Sequence, residues 1–226
     1  MLTITATDAW RQAHPGGTIG LLQLSGIDNS QPAPALETQK RTIETALRTQ
    51  YGDFTRADFL ELPVLAAYKD YYRRFGKTYH VQLQLESIAL KGKPLPAVSP
   101  LVDANFGAEV ETFILAAGHD VAQLEGPVEM DVSGETDSMI QMNGRDKLLP
   151  SGDMIMRDAA GVCCSIIYGQ DNRSPITPAT TDVLYVAYGP AGVSRDAVDH
   201  HLRRIQAHVQ LFAPNAVIEQ HTLISA

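Results

Sequence analysis

The sequence has few of the residues, and none of the short motifs, that define disulfide, zinc and nucleotide sites. Only two of its 226 residues are cysteines. Because Cys163 and Cys164 are adjacent, they can neither link distant segments nor supply the spaced ligands of a zinc site. The sequence contains no G-x-x-x-x-G-K-S/T, no G-x-G-x-x-G, no H-E-x-x-H and no G-x-S-x-G. These absences exclude the enzymes that such motifs define, predict no metal and no cofactor, and fit a reducing cytoplasm.

Basic charge and long apolar runs are also scarce. Lys and Arg total 18 against 26 Asp and Glu, and the resulting net charge of −8 opposes a general affinity for phosphates. No apolar run reaches the roughly 18 residues of a membrane span, and the N-terminal segment has no signal-peptide pattern. Because 44% of the residues are hydrophobic, the chain can bury a core. We therefore expect a soluble, cytoplasmic protein with one domain over residues 1–226, whose oligomeric state is open.

Apolar periodicity divides the chain into a largely helical first half and a β-rich second half. Strands are predicted at 2–6 and 18–24, helices at 35–52, 63–76, 80–90 and 99–117, strands at 127–132, 138–143, 153–158, 161–169 and 181–189, a helix at 194–212 and a closing strand at 216–224. A group of helices that is followed by several antiparallel strands and one more helix near the C-terminus predicts an α+β fold.

The segment "AAGHD" places an imidazole beside a carboxylate. Gly118 is predicted to end the fourth helix, and His119 and Asp120 follow it. An adjacent His and Asp can form a group that transfers protons near neutral pH. The alternative is a capped helix end with a surface histidine, and spacing alone leaves both interpretations open.

The segment "VCCSIIYGQDNR" reads as a strand followed by a polar turn. Period-two alternation places Tyr168 on the same face as Val162 and Cys164, where its ring can form one wall of a pocket. The two cysteines are interpreted as buried strand thiols, because no base accompanies them. Asp171, Asn172 and Arg173 are either a hairpin loop or the rim of a site.

Three histidines lie in the last predicted helix. His200 and His201 are adjacent, and His208 follows His201 by seven residues on the same helix face. Two histidines that are two turns apart cannot bind one metal ion. We interpret this face as solvated.

The order of several fragments resembles the B3/4 domain of the phenylalanyl-tRNA synthetase beta subunit, in a free-standing form. The fragments are "LVD" at the start of the fourth helix, Gly118-x-Asp120 with Gly126, the "GDM…D…GV" hairpin, and the run that contains Arg173, Thr177 and Thr180. The resemblance covers about residues 70–215, preceded by N-terminal strands and a helix in residues 1–60. It implies helices packed around a largely antiparallel sheet, with a pocket between the LVD helix and the sheet.

The resemblance also implies a function and a set of site residues. In the synthetase this pocket receives the 3′ end of a mischarged tRNA and hydrolyses its ester, which requires a positioned water and donors to the oxyanion rather than a metal. The residues that it implies are His119, Asp120 and Asp171 for catalysis, and Asp103, Asn105, Tyr168, Arg173, Thr177 and Thr180 for substrate binding. The chain departs from the family pattern because "VDANF" lacks the family's Thr and because Ala117 stands where the family has its histidine.

Three functions follow from this resemblance. The first is a stand-alone hydrolase that removes a wrong amino acid from tRNA in trans. The second is a non-catalytic module that binds a free amino acid or a similar small ligand. The third is an accessory protein of translation that binds a partner. A basic strip beside Tyr168 favours tRNA, whereas an acidic rim favours a small ligand.

Overall fold

The computed structural model describes residues 2–226. Within that range it contains seven α-helices and eleven strands. The helices are α1 (Asp8–Ala13), α2 (Pro34–Tyr51), α3 (Arg56–Glu61), α4 (Pro63–Arg73), α5 (His80–Ala89), α6 (Pro100–Thr112) and α7 (Arg195–Gln210). The strands are β1 (Ile4–Ala6), β2 (Thr18–Ser25), β3 (Ala116–Asp120), β4 (Val128–Val132), β5 (Ser138–Ile140), β6 (Asp146–Leu148), β7 (Met154–Asp158), β8 (Gly161–Ser165), β9 (Gly169–Gln170), β10 (Val183–Gly189) and β11 (Val217–Ser225).

The two longest helices, α2 and α7, begin and end within two residues of the predicted positions. Helix α2 buries Leu36, Ile43 and Leu47 and is followed by Gly52 as its C-cap. Helix α7 begins after Ser194, whose side chain accepts a hydrogen bond from the backbone N–H of Ala197. Both predictions are confirmed, because amphipathic spacing over three or more turns is a strong local signal.

The strands form two main sheets. One has the order β11-β2-β10-β3 and is antiparallel throughout, and the other has the order β1-β4-β7-β8-β9, in which only the β1–β4 pair is parallel. A hairpin of β5 and β6 forms a separate two-stranded sheet that packs against β8. Helix α7 packs on β2, where a Cβ at Gly20 would approach Val198 Cγ1 to 2.7 Å, so only glycine permits this packing. The predicted α+β fold with a largely antiparallel sheet is confirmed.

Helix α6 is the central helix of the fold, since it contacts α2, α5, α7 and β3. Eight of its residues are buried, so it has no single apolar face. At Gly107 a Cβ would approach the His208 ring to 3.1 Å, which explains the small residue at the contact with α7. The close packing fixes the position of every side chain that α6 directs toward the sheets.

The prediction that α6 extends to Ala117 and stops at Gly118 is wrong. The helix ends at Thr112, because Phe113 adopts the left-handed conformation (φ 64°) and its N–H bonds to the carbonyl of Glu109. Residues 116–120 instead form β3, which pairs with β10. Glycine at position 118 allows close packing over this strand, because a Cβ there would lie 2.5 Å from Ile176 Cδ1 and 3.1 Å from Tyr185 Cε1.

The prediction of a solvated histidine face on α7 is also wrong. His201 and His208 have exposed fractions of 0% and 1%. His201 Nδ1 lies 2.7 Å from Thr112 Oγ1, and His208 Nδ1 lies 3.0 Å from the carbonyl oxygen of Ala104. Burial lowers the pKa of His201 to about 3. These side chains therefore join α7 to α6 rather than meeting solvent.

The alternation predicted for residues 162–168 does not extend through the whole segment. Strand β8 ends at Ser165 and the chain then turns, and a register shift interrupts its pairing with β7. Val162 and Tyr168 pack in a small cluster beneath the β5–β6 hairpin, whereas Cys164 lies in the main core. Both cysteines are buried and free, as expected, and burial raises the pKa of Cys164 to about 12.

Two further features concern membranes and metals. No helix within residues 2–226 combines the length and the apolar character that a membrane crossing requires. In the same part of the chain, no three His, Cys, Asp or Glu side chains group closely enough to hold a metal ion.

Candidate ligand pocket

A cavity of about 340 Å³ lies between α6, which is the LVD helix, and the strands β3, β8 and β9. This volume is within the range of about 300–1,000 Å³ that small-molecule sites occupy. Most of its walls are apolar, and the apolar residues include Val102, Phe106, Leu115, Ala116, Ala117, Ile166, Pro175 and Ile176. Such a cavity favours an apolar ligand group, whose orientation the few polar residues then set.

Two polar side chains of α6 enter this cavity from the same face. Asn105 and Glu109 are four residues apart, and both bond to the backbone of Ala116. Asn105 Nδ2 donates to the Ala116 carbonyl at 2.9 Å, and Glu109 Oε1 accepts from the Ala116 N–H at 3.0 Å. These bonds hold both side chains against the first residue of β3.

The pocket contains polar atoms that have no partner in the protein. Asn105 Oδ1 and Gln84 Oε1 are buried and accept no hydrogen bond from any of residues 2–226. Buried polar atoms without partners are uncommon, because each costs about 1–3 kcal/mol. Two such oxygens, on residues that line one cavity, make this part of its wall suited to a ligand that donates hydrogen bonds.

Glu109 is fully enclosed and has no basic partner. Burial raises its pKa to about 8, although the Ala116 N–H and the Asn105 amide partly offset this rise. No Lys, Arg or His side chain in residues 2–226 pairs with it. At neutral pH the Glu109 carboxyl is therefore protonated in the protein alone.

His80 lies at the opening of the pocket. It is an exposed residue at the start of α5 that also lines the cavity, and its Nδ1 lies 3.3 Å from the Tyr72 hydroxyl. Loss of hydration around the ring lowers the pKa of His80 below its usual value. A neutral imidazole at the opening can accept a proton from water.

The predicted catalytic residues lie beside the pocket rather than in its lining. His119 is fully buried, with its Nδ1 2.8 Å from Ser174 Oγ, and Ser174 Oγ donates to Asp171 Oδ1 at 2.8 Å. The Gln170 amide, which does line the pocket, donates to the Gly118 carbonyl at 2.8 Å and lies 3.2 Å from His119 Nδ1. Burial lowers the pKa of His119 to about 3. His119 and Asp171 thus support the pocket wall that Gly118 and Gln170 form.

The predicted anion contact, Arg173, already pairs with carboxylates. Its guanidinium lies 3.0 Å from Asp158 Oδ1 and 3.0 Å from Asp171 Oδ2. The Arg173 charge and hydrogen bonds hold the pKa of Asp158 below its usual value despite burial. The structure therefore shows Arg173 as part of the loop after β9, outside the pocket lining.

Asp120, Thr177 and Thr180 form a second network away from the cavity. Thr180 Oγ1 donates to Asp120 Oδ2 at 2.8 Å and accepts from the Thr177 N–H at 2.9 Å. Asp120 Oδ1 also accepts from the Ala122 N–H at 3.0 Å. This arrangement fixes the turn before β10.

Asp103 also lies outside the pocket. Its Oδ2 pairs with Lys40 Nζ at 2.6 Å, and its Oδ1 accepts from the Val98 N–H at 2.9 Å. Lys40 is 1% exposed and Asp103 is 4% exposed. The pair joins α2 to the start of α6. Of the nine predicted site residues, only Asn105 lines the cavity.

Tyr168 lies beside the pocket, and the side chains of two lysines lie near its ring. It precedes Gly169, which lines the cavity, but its own ring packs beneath the β5–β6 hairpin. The Nζ atoms of Lys147 and Lys77 lie 4.4 Å and 5.6 Å from the centre of this ring. The half-exposed ring and the two cations form a surface that we call the Tyr168 platform.

Sequence reasoning missed most of the pocket lining, including the polar residues His80, Gln84, Glu109 and Tyr188. The spacing of Asn105 and Glu109 on one helix was a usable signal. No comparable signal marks Tyr188, because both faces of β10 are buried and a tyrosine in such a strand is typical of a core residue.

The fold and the sequence agree on the family. The profile of the B3/4 domain matches residues 67–211, which is more than half of the chain. This protein belongs to the B3/4 domain family, and the resemblance predicted from the sequence is confirmed.

Among solved structures, the chain is similar to an N-terminal fragment of the phenylalanyl-tRNA synthetase beta-subunit from Pyrococcus horikoshii, with a TM-score of 0.52 and 9% sequence identity. The similarity covers 100% of this chain and 55% of that chain, so the protein spans about half the length of its relative. At this identity the likeness shows the fold alone. No curated protein matches the chain.

Proposed function

We propose that this protein is an editing-type deacylase that takes the aminoacyl end of a tRNA into the α6 pocket and hydrolyses its ester in trans. The observation that carries the proposal is the apolar cavity with unpartnered polar atoms, in a chain of the B3/4 family. The side chain of an amino acid suits the apolar walls. An aminoacyl ester is already activated, so hydrolysis needs only a positioned water and donors to the developing oxyanion.

In this proposal His80 positions or deprotonates the attacking water. An amino acid whose side chain enters the cavity leaves its ester near the opening, where His80 lies. The lowered pKa of His80 keeps the ring neutral at pH 7, which is the form that accepts a proton. His119 and Asp171 act on the reaction through the wall that they support.

The Tyr168 platform supports an RNA ligand. An aromatic ring beside cations is a common surface for a nucleobase and its phosphate. The platform adjoins the pocket through Gly169, so the terminal nucleotides of a tRNA can reach it while the aminoacyl group occupies the cavity. Its two lysines supply local positive charge for phosphate contacts in a protein whose net charge is −8.

We expect Ala117→Leu to reduce hydrolysis of the preferred mischarged tRNA by about tenfold or more, because added methylenes in a close-fitting pocket have effects of this size. The measurement is the release of labelled amino acid from a panel of mischarged tRNAs. Ala57→Leu is the matched control, since it adds the same group at an exposed position of α3. Absence of hydrolysis across the whole panel contradicts the proposed function.

Removal of one platform cation should weaken tRNA binding without changing which amino acid is preferred. For Lys77→Ala or Lys147→Ala we expect the slope of log affinity against log salt to fall by about 1, the value for one lost phosphate contact. Arg203→Ala, at an exposed site on α7, is the control. Unchanged affinity and slope in both platform variants would remove this support for an RNA ligand.

A second candidate is a non-catalytic module that binds a free amino acid. The observation in its favour is that His119, Asp120 and Asp171 do not line the cavity. This function predicts that an amino acid raises the melting temperature while no ester is cleaved. His80→Ala separates the two functions, because it should abolish hydrolysis in a deacylase and leave amino-acid binding unchanged in a binding module.

A further inference from the structure

The pocket contains a buried acid without a cation. Glu109 is 2% exposed, and its side chain bonds to the Ala116 N–H and to the neighbouring Asn105 amide. Buried carboxyl groups are normally paired with a basic residue or a metal. Residues 2–226 supply neither to Glu109.

Two other residues that line the pocket carry hydrogen-bond acceptors without a partner. Asn105 Oδ1 and Gln84 Oε1 line the cavity with Glu109, and neither oxygen has a partner in the described chain. An amide oxygen and an ionised carboxylate accept hydrogen bonds and do not donate them, whereas a protonated carboxyl has one donor. A ligand that brings donors and a positive charge would therefore suit these oxygens with Glu109 ionised.

The position of Glu109 in its helix also favours a positive occupant. Its carbonyl accepts the N–H of Phe113, the residue that caps the C-terminus of α6. The last turn of a helix carries a partial negative charge, which stabilises a cation and disfavours an unpaired carboxylate. The Glu109 carboxyl, the amide oxygens of Asn105 and Gln84, and the C-terminus of α6 thus all favour a positively charged ligand group.

We propose that Glu109 and Asn105 form a recognition site for the primary ammonium group of a ligand whose apolar part fills the rest of the cavity. The proposal rests on the proposed function, in which the occupant is an aminoacyl group, and it adds the polar group that the protein selects. An ammonium has three donors and no acceptor. It can therefore bond to the Glu109 carboxylate and Asn105 Oδ1 at once. The site admits either an α-ammonium or an ammonium at the end of a side chain.

Binding of an ammonium group should release a proton. Burial raises the pKa of Glu109 to about 8 in the protein alone, and the ion pair requires its carboxylate, so the carboxyl proton leaves to solvent as the cation enters. The other titratable groups around Glu109 are Tyr68, Tyr72 and Tyr79, with His80 at the opening. Burial raises the pKa of each tyrosine, so none exchanges a proton near pH 7.

The test uses pairs of probes that differ only in the ammonium group: benzylamine with benzyl alcohol, butylamine with butanol, and a leucine methyl ester with its α-hydroxy analogue. For the wild-type protein we expect each amine to bind at least about tenfold more tightly than its neutral partner, since a hydrogen bond to a charged group has an effect of that order. Glu109→Gln should remove this preference, because glutamine keeps an acceptor for the Ala116 N–H but carries no charge. The first two pairs and the third pair separate a side-chain ammonium from an α-ammonium.

Glu111→Gln is the matched control, since Glu111 lies on the same helix but pairs with Arg204 of α7. If Glu109→Gln does not fold, calorimetry of the wild-type protein in buffers of different ionisation enthalpy measures the proton release directly. Equal affinity for amines and alcohols, or a preference that survives Glu109→Gln, overturns the ammonium site. Amine binding that depends on Glu109 in a protein that hydrolyses no aminoacyl-tRNA upholds the site and contradicts only the deacylase function.

Discussion

Replacement of Asp103 by alanine is expected to lower the free energy of unfolding by about 3–5 kcal/mol, the cost of leaving one partner of a buried ion pair unpaired. In this variant the Lys40 ammonium stays buried, and the exposed Glu37 is then its only paired carboxylate. The Val98 N–H also loses its acceptor at the start of α6. Urea unfolding of the two proteins at one pH measures the change.

A double variant separates the lost ion pair from the lost side chain. Lys40→Met with Asp103→Ala removes both charges, so it should recover a large part of the lost stability. Asp199→Ala, at a more exposed ion pair on α7, should cost less than about 1 kcal/mol. Unchanged stability of Asp103→Ala together with a large loss of ligand affinity would contradict the structural role and favour the substrate contact that the family resemblance implies.

Much of the fold was predictable because its longer helices have an amphipathic pattern. Leu36, Ile43 and Leu47 mark α2, and Ser194 marks the start of α7. The six-residue helices α1 and α3 could not be found in this way, because less than two turns gives no measurable period. Tertiary contacts decided the region after α6, where Gly118 fits a strand only because Tyr185 and Ile176 pack over it.

The pocket was harder to predict than the fold. Helix α6 is buried on most sides, so its sequence does not show which residues face the cavity. Asn105 and Asp103 are two residues apart and therefore face in different directions, one into the pocket and one toward Lys40. The family resemblance predicted both residues as ligand contacts, but only three-dimensional packing distinguishes the pocket residue Asn105 from the buried ion pair of Asp103.

The burial of Glu109 should also make the stability of the protein depend on pH. We expect the free energy of unfolding of the wild-type protein to fall by about 1.5–2 kcal/mol relative to that of Glu109→Gln between pH 6.5 and pH 8. The pKa of Glu109 is raised to about 8 in the folded protein, from the ordinary value of 4.5 that holds in the unfolded chain. The folded state thus binds more protons in this window, and its stability is lost as the pH rises toward the folded pKa.

Buried histidines titrate at the lower edge of this window. Burial lowers the pKa values of His14, His119 and His201, so the unfolded state binds more protons there, and stability rises by about 0.4 kcal/mol per histidine above the ordinary pKa of 6.5, equally in both proteins. Burial raises the pKa of Asp153 to about 6, and its effect ends near that pH. Glu109→Gln has no carboxyl at position 109 to ionise, so its unfolding free energy should rise from pH 6.5 to 8 with the histidines, whereas that of the wild-type protein should fall relative to it, as measured by urea unfolding in matched buffers. Parallel pH profiles for Glu109→Gln and the wild-type protein would show that the Glu109 carboxyl is already ionised at neutral pH. An amine that binds the pocket should bring the wild-type profile closer to that of Glu109→Gln, since an ammonium beside Glu109 favours the carboxylate.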